Sequence, residues 1–447
     1  MNPVIALDEL YLRRTYPAAR LLLPEGGILG GVVRVIGDDV SPDFEMAHSN
    51  LGNLTPVFPH VRAPNGNDAS GESLGGSGAD VDVELAWLRA VMEGAERYAS
   101  MAYHLDEFVV ASGNELGSAA LDLDTVPRCS DRELAESRCP YVRADKSKPI
   151  RWAKGYSLVD RCERHVPAVM SHLYFQPTPE ENFSQMISTG VAAHVTLEAA
   201  LVSAICEVIE RDAIALTWLA RLPLPRIEVP MTPPVDLANN LDRLSRSLIR
   251  HDCFDATTDV GVPTVYAVQT MDGHPYLSQY VNCATEFDAA RAYAKTIREA
   301  APARTVFEEG YDHVADVEDF ATLHDGAAYL GKPGQRHEFD FLLHSPTRRA
   351  LADVGIAAPE GNSARLNFLV DRLAGMGMDV IALDLTTRDL RELGIWVVRA
   401  VIPALMPMTS TQSGRFLGHP RLYDYPKAAG FGTLREEDIN PAPQPFA

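Results

Sequence analysis

Apolar residues recur at helical spacing over residues 83–101, VELAWLRAVMEGAERYASM, and over 196–219, TLEAALVSAICEVIERDAIALTWL. Positions three and four apart share one helix face, so both stretches are predicted as long helices. Further helices are expected over 236–251, 286–301 and 363–375. Strands are expected in WAKGYSL and VPAVMSHLYF between Trp152 and Phe175, and near VPTVYAVQT and YLSQYVN. DVIALDL and IWVVRAVIP read as two more strands, separated by the short helical turn RDLRELG. PLPRIEVPMTPPVDL reads as a Pro-rich connector. PNGNDASGESLGGSGAD, residues 64–80, reads as a mobile loop or an active-site lid. Strands and helices interleave, so the predicted class is α/β or α+β with mixed sheets. No repeat of 20–50 residues is present.

Composition narrows the function classes. The 447 residues are 46% hydrophobic and 23% charged, which suits two or three domains or one intertwined unit. A net charge of −21 would repel a phosphate backbone, so nucleic acid is not an expected partner, whereas Mg-ATP in a local cationic pocket is compatible with it. No stretch reaches the ~20 apolar residues of a membrane span, and the N-terminus lacks a basic region ahead of an apolar run. A cytoplasmic location without membrane contact is expected. The cysteines, Cys129, Cys139, Cys162, Cys206, Cys253 and Cys283, form no C-x-x-C pair, which argues for reduced thiols rather than a zinc site or disulfide framework.

The chemistry-bearing signal is a duplicated motif. Ala90-Val-Met-Glu93-Gly-Ala-Glu96-Arg97 and Ala204-Ile-Cys-Glu207-Val-Ile-Glu210-Arg211 both read A-x-x-E-x-x-E-R inside largely apolar helices. Glutamates three apart lie on one face, repel each other and pay a desolvation cost in apolar company. One such motif alone would be a solvated face with local Glu–Arg pairs. Two facing copies offer four carboxylates, a donor set suited to Mg²⁺, which is commonly held by a few carboxylates together with phosphate oxygens. Arg97 and Arg211 would then meet phosphate.

These motifs, with their surroundings, resemble the YcaO family over most of the chain. GGSGADVDVELAWLRAVMEGAERYAS is similar to the family's first ATP-site helix with its Gly-rich lead-in, and STGVAAHVTLEAALVSAICEVIERDAIA to its most diagnostic block. ARAYAKTIREAAPART resembles the third block, with Glu299 and Arg304 at its Glu and Arg positions. DVIALDLTTRDLRELGIWVVRAVIPAL and FLGHPRLYD follow in the family's order. The resemblance implies a fold of mixed sheets flanked by helices, with ATP and Mg²⁺ as cofactors between the E-x-x-E-R helices. It assigns Glu93, Glu96, Glu207 and Glu210 to Mg²⁺, and Arg97, Arg211, Glu299 and Arg304 to the nucleotide. It divides the chain into an N-terminal region at 1–63, an ATP-binding catalytic domain at 64–437 and a Pro-rich tail at 438–447. Departures are His194 and Ala199 in the second block, where Gly and Glu are usual, and Pro302 in the third, where Gln is usual.

The chain ends Pro441-Ala-Pro443-Gln-Pro445-Phe446-Ala447. Alternate prolines favour an extended polyproline shape, and such tails are often disordered or serve as ligands of other domains. Within a YcaO-like chain this ending resembles the azoline-forming branch, the peptide cyclodehydratases. There the stiff tail, here Pro441, Pro443 and Pro445, brings the terminal carboxylate, here that of Ala447, into the active site. In the implied reaction a Cys, Ser or Thr side chain attacks the preceding backbone carbonyl. ATP phosphorylates the amide oxygen and turns it into a leaving group, while a base takes protons. The implied partners are a ribosomal precursor peptide, a separate leader-binding protein of the E1-like or ThiF-like kind, a flavin-dependent azoline dehydrogenase and a second copy in a homodimer. The leader-binding partner is expected because no peptide-recognition domain is discernible in roughly the first 60 residues. The alternatives are a YcaO enzyme making thioamides or amidines, and a non-catalytic ATP-binding scaffold. His104, His165, His172 and His194 read as core or surface histidines, and Trp87, Trp152, Trp218 and Trp396 as core.

Overall fold

The computed structural model describes residues 16–22, 28–37, 40–61 and 74–446. Strands β1 (Gly31–Val35), β2 (Glu45–Asn50) and β3 (Ser77–Asp80) form an antiparallel three-stranded sheet. Helix α1 (Val83–Met101) lies across β2 and β3. Asp82 caps it by accepting the Glu84 and Leu85 N–H groups at 2.8 and 3.3 Å. The approach is close: a Cβ on Gly78 would stand 2.1 Å from the Ala86 carbonyl oxygen. The expected loop over 64–80 is therefore a strand in its last four residues, because its glycines let β3 press onto α1. Its segment 62–73 lies outside the described residues.

A second sheet runs β4 (Val109–Ser112), β5 (Pro149–Ser157), β13 (Ile381–Asp384), β14 (Trp396–Val401), β7 (Val191–His194), with β6 (Cys162–Pro167) also paired to β5. A third runs β11 (Gln279–Thr285), β10 (Thr264–Thr270), β9 (Arg250–Asp255), β8 (Arg226–Glu228), β12 (Arg348–Ala350), the last pair parallel. Between these two sheets lies α2 (Leu197–Leu219), in contact with β7 and β14 on one side and β10 and β11 on the other. It is buried around nearly its whole circumference, as an apolar core helix should be. Helices α3 (Val235–Ser245) and α4 (Ala289–Glu308) pack together over the third sheet, with α5 (Leu323–Gly331) against β11. Helix α6 (Asn362–Gly375) covers α2, and α7 (Arg421–Ala428) also touches α2. The mixed α/β class agrees with the sequence reading.

Several boundaries differ from expectation for local reasons. The helix expected to reach His251 stops at Ser245, where Ser245 and Ser247 hydroxyls bond the Asp242 and Leu244 carbonyls and the chain turns into β9. The strand expected to reach Phe175 ends at Pro167, and Ser171 closes a short turn on the Ala168 carbonyl. The Pro-rich connector contains β8. The helix expected to end at Ala301 continues through Pro302 to Glu308. Trp87, Trp152 and Trp218 are buried, whereas Trp396 is half-buried under the Arg391 guanidinium. Among the described residues the six cysteines are free, and no helix is long and apolar enough to cross a membrane.

Candidate active site

One cavity of about 1380 Å³ opens among α1, α2, α4, β7 and β11. Helix α1 turns Glu93, Glu96 and Arg97 into it, α2 turns Glu207, Glu210 and Arg211, and α4 turns Lys295 and Glu299. The two E-x-x-E-R motifs thus share one chamber. In each motif the arginine folds back on its own helix. Arg97 Nη2 lies 3.2 Å from Glu93 Oε1, and Arg211 Nη2 lies 3.1 Å from Glu207 Oε1, with Nη1 on Glu210.

Every one of the four glutamates accepts a backbone N–H. Ser77 donates to Glu93 at 2.8 Å, Ala193 to Glu96 at 2.7 Å, Gly190 to Glu207 at 2.8 Å and Thr285 to Glu210 at 2.9 Å. The two middle donors belong to one segment, the Gly190–Ala193 lead into β7. It therefore holds one carboxylate from each motif. Gly190 has φ +80°, and a Cβ there would stand 2.4 Å from the Ala400 carbonyl oxygen, so this turn needs glycine.

The charges are in tension. Burial, then the neighbouring Glu93 and Glu207 charges, push the Glu96 carboxyl up to about 8, against the pull of the Ala193 N–H and Arg97. Burial also raises Glu210, opposed by Arg211 and Lys295. Lys295 is held above the ordinary lysine range by Glu299 first, and also by Glu286, Glu210 and Glu207. Its Nζ lies 3.7 Å from Glu286 and 3.9 Å from Glu299. A divalent cation would relieve this repulsion. The donors present are carboxylate oxygens, which fit Mg²⁺. Among the described residues no three acidic, His or Cys side chains form a ready-made metal cage.

The chamber also has apolar lining. Val202, Cys206 and Phe287 contribute to it, with the Arg365 guanidinium 5.4 Å from the Phe287 ring. Tyr280, Phe307 and Phe446 line it too. Phe446 arrives there because the Pro-rich tail is bonded into the body. The Asn440 N–H donates to the Leu219 carbonyl at 2.8 Å, Trp218 Nε1 donates to the Ala442 carbonyl at 3.3 Å, and Gln412 Nε2 donates to the Pro441 carbonyl at 2.8 Å. Pro443, Pro445 and Phe446 are buried, Pro441 is exposed, and Phe446 meets Tyr266 edge-on at 5.2 Å. Ala447 lies outside the described residues.

Of the nucleotide residues expected from sequence, Arg97, Arg211 and Glu299 line the cavity. Arg304 does not. It is fully buried behind the wall and paired with Glu308 at 3.0 Å. His194, Ala199 and Pro302 all line the cavity. His172 is a core histidine against Tyr103 and Phe108, pushed by burial down to about 3. His104 is exposed and His165 half-buried in β6. The sequence reading missed Lys295, although it stands one helical turn before Glu299 on the same face. It also missed the backbone donors, which leave no side-chain signal.

A family model described as YcaO cyclodehydratase, binding ATP and Mg²⁺, matches residues 76–406. An uncharacterized protein encoded in the tfuA 3′ region of Rhizobium leguminosarum bv. trifolii is 32% identical over 241 residues, 51% of this chain and 54% of the relative. A heterocyclase solved in complex with substrate and cofactor superposes with a TM-score of 0.77 at 21% identity, over 98% of this chain and 57% of that one. The E. coli microcin synthetase McbBCD complex with pro-MccB17 bound gives 0.61 at 14% identity, over 93% and 96%. The chain thus spans little more than half the length of the Rhizobium relative and of the substrate-bound heterocyclase. At these identities the likeness to the solved structures is one of fold. The family match covers well over half of the chain and contains both E-x-x-E-R helices: this chain belongs to the YcaO family.

Proposed function

We propose that the protein is an ATP-dependent cyclodehydratase that converts Cys, Ser or Thr residues of a ribosomal precursor peptide into thiazolines or oxazolines, with release of ADP and phosphate. The observation that carries the reading is the single chamber itself. At about 1380 Å³ it exceeds the ~300–1,000 Å³ of an ordinary small-ligand site, as a nucleotide lying beside a peptide segment requires. Both E-x-x-E-R motifs and Phe446 of the Pro-rich tail open on it.

Glu93, Glu96, Glu207 and Glu210 would hold Mg²⁺, with Arg97, Arg211, Lys295 and Glu299 around the phosphates. When bound, Mg-ATP supplies the phosphoryl group that makes the amide oxygen a leaving group. The chain's own residues orient and enclose. The Gly190 and Ala193 N–H groups fix the direction of the Glu207 and Glu96 carboxylates, and Phe446, Tyr280 and Phe307 give the chamber part of its apolar lining. A solved relative is the microcin synthetase McbBCD complex with pro-MccB17 bound. We extend this to a precursor peptide and a separate leader-binding partner for the present chain.

The test is incubation with Mg-ATP, a Cys-containing precursor peptide and the candidate partner, read by ADP release and peptide mass. Loss of one water per ring supports the proposal. A gain matching exchange of oxygen for sulfur would point to thioamide chemistry instead. Nucleotide binding without any peptide change would point to a scaffold.

A further inference from the structure

Arg399, in the middle of β14, is 5% exposed, and among the described residues no carboxylate lies within 4.0 Å of it. Burying a cation without a paired acid is costly, so its contacts should reveal what it does. Nη2 donates to the Ile187 carbonyl at 2.7 Å and Nη1 to the Ser171 carbonyl at 3.3 Å, while Nε is buried with no hydrogen-bond partner. Burial lowers the guanidinium to about 10, and the acid that pulls it back up is Glu207.

The gripped carbonyl begins the turn that holds Glu207. Within that turn the Val191 N–H donates to the Ser188 carbonyl at 3.0 Å, and Gly190 gives its own N–H to Glu207. The far end is tied to the same strand: Arg399 pairs with Val191 in the β14–β7 register, and the Ala400 N–H donates to the Gly190 carbonyl at 2.7 Å. One residue and its neighbour therefore fasten both ends of the turn. A core-filling role alone would be served by an apolar side chain at lower desolvation cost.

We infer that Arg399 is a positioning residue for the metal–nucleotide site. Its guanidinium fixes the Ile187–Gly190 turn whose N–H aims the Glu207 carboxylate. The inference rests on the reading that the chamber binds Mg-ATP. Arg399 does not line the cavity, so it acts through Glu207 and not on a ligand.

The test titrates Mg²⁺ into the protein with the non-hydrolysable analogue AMPPCP by calorimetry, with thermal melts run in parallel. Arg399→Met removes charge and fork at similar volume, and should raise the Mg²⁺ half-saturation about 10-fold, the lower range for loss of an outer-shell partner. Arg399→Lys keeps the charge but loses the fork, and should fall between Arg399→Met and wild type. A structural role alone would lower the melting temperature and leave the Mg²⁺ requirement untouched. If Arg399→Met does not fold, Arg399→Lys carries the test. A half-saturation unchanged from wild type in the folded variant overturns the inference. Failure of the wild-type protein to bind Mg-AMPPCP would remove the underlying reading, and the inference with it.

Discussion

Gly326 offers a way to move the Pro-rich tail without touching it. It lies in α5, and a Cβ placed there would stand 1.9 Å from the Gln444 carbonyl oxygen. Real Cβ atoms essentially never come closer than 3.0 Å to such an atom, so in Gly326→Ala the chain at Gln444 must retreat by about 1.1 Å, from 1.9 to 3.0 Å. The helix itself gains about 1 kcal/mol from replacing Gly by Ala. The overpacking costs about 1–3 kcal/mol, and the tail can escape it by leaving its groove. The bonds at Asn440, Pro441 and Ala442 lie upstream, so the displaced stretch is Pro443 to Phe446. If that stretch shapes the reaction chamber, a shift of this size should slow cyclisation by about 10²-fold. Mg-ATP affinity should stay near wild type, because the four glutamates are held by other segments. Product mass reports cyclisation, calorimetry reports nucleotide binding, and carboxypeptidase sensitivity reports whether the tail has left. Wild-type cyclisation with a protease-sensitive tail would show that the tail has no part in the reaction. Wild-type cyclisation with a protected tail would show that the predicted displacement does not occur.

Other variants probe the ionic centre and the chamber wall. Glu93→Gln and Glu207→Gln keep helix and volume but remove a charged oxygen, so Mg-ATP affinity should drop while circular dichroism stays native, and unchanged affinity in both would remove them as ligands. Glu96 binds its proton more tightly when folded, at about 8 against an ordinary 4.5, so metal-free stability should fall as pH rises between those values, by at most about 1.4 kcal/mol per pH unit. Glu96→Gln should abolish that slope in thermal melts from pH 5 to 8, and a slope identical to wild type would contradict the assignment. Phe446→Ala removes a ring of the tail from the chamber wall and should lower cyclisation more than Mg-ATP affinity. Equal losses in both would mean that it supports the nucleotide site instead.

Helical periodicity made α1 and α2 legible, because each carries apolar residues at helical spacing; the capping roles of Asp82 and Thr196 are seen only in the structure. The duplicated E-x-x-E-R was legible because carboxylates in apolar company demand an explanation. Periodicity was less informative where partners decide the structure. Strand β8 is three residues long and sits among prolines, and becomes a strand only by pairing with β9 and the distant β12. Strand β3 is made of Ser, Gly, Ala and Asp, poor strand formers, and exists because α1 needs a backbone without side chains against it. Arg304 followed the motif but not the geometry, since a residue five positions beyond Glu299 points away from the face that Glu299 shares with Lys295.

The candidate site is also where local rules are broken most openly. Four carboxylates and two guanidiniums, Glu93, Glu96, Glu207 and Glu210 with Arg97 and Arg211, are gathered into one chamber, although an apolar lining would pack there at lower cost. The fold meets that cost with backbone donors, and two of those donors come from the single segment Gly190–Ala193. This arrangement makes the two motifs interdependent. A shift of β7 that lengthens the bond to Glu96 on α1 also disturbs the bond to Glu207 on α2. The carboxylates should therefore respond to a bound cation as a set, and Glu96, neutral at pH 7 when alone with its neighbours, should ionise as the cation arrives. Binding should then release a proton near neutral pH, detectable as a dependence of the calorimetric heat on the ionisation enthalpy of the buffer. Heats independent of buffer would mean that Glu96 is already ionised before metal binds, and that its strain is relieved by something other than the cation.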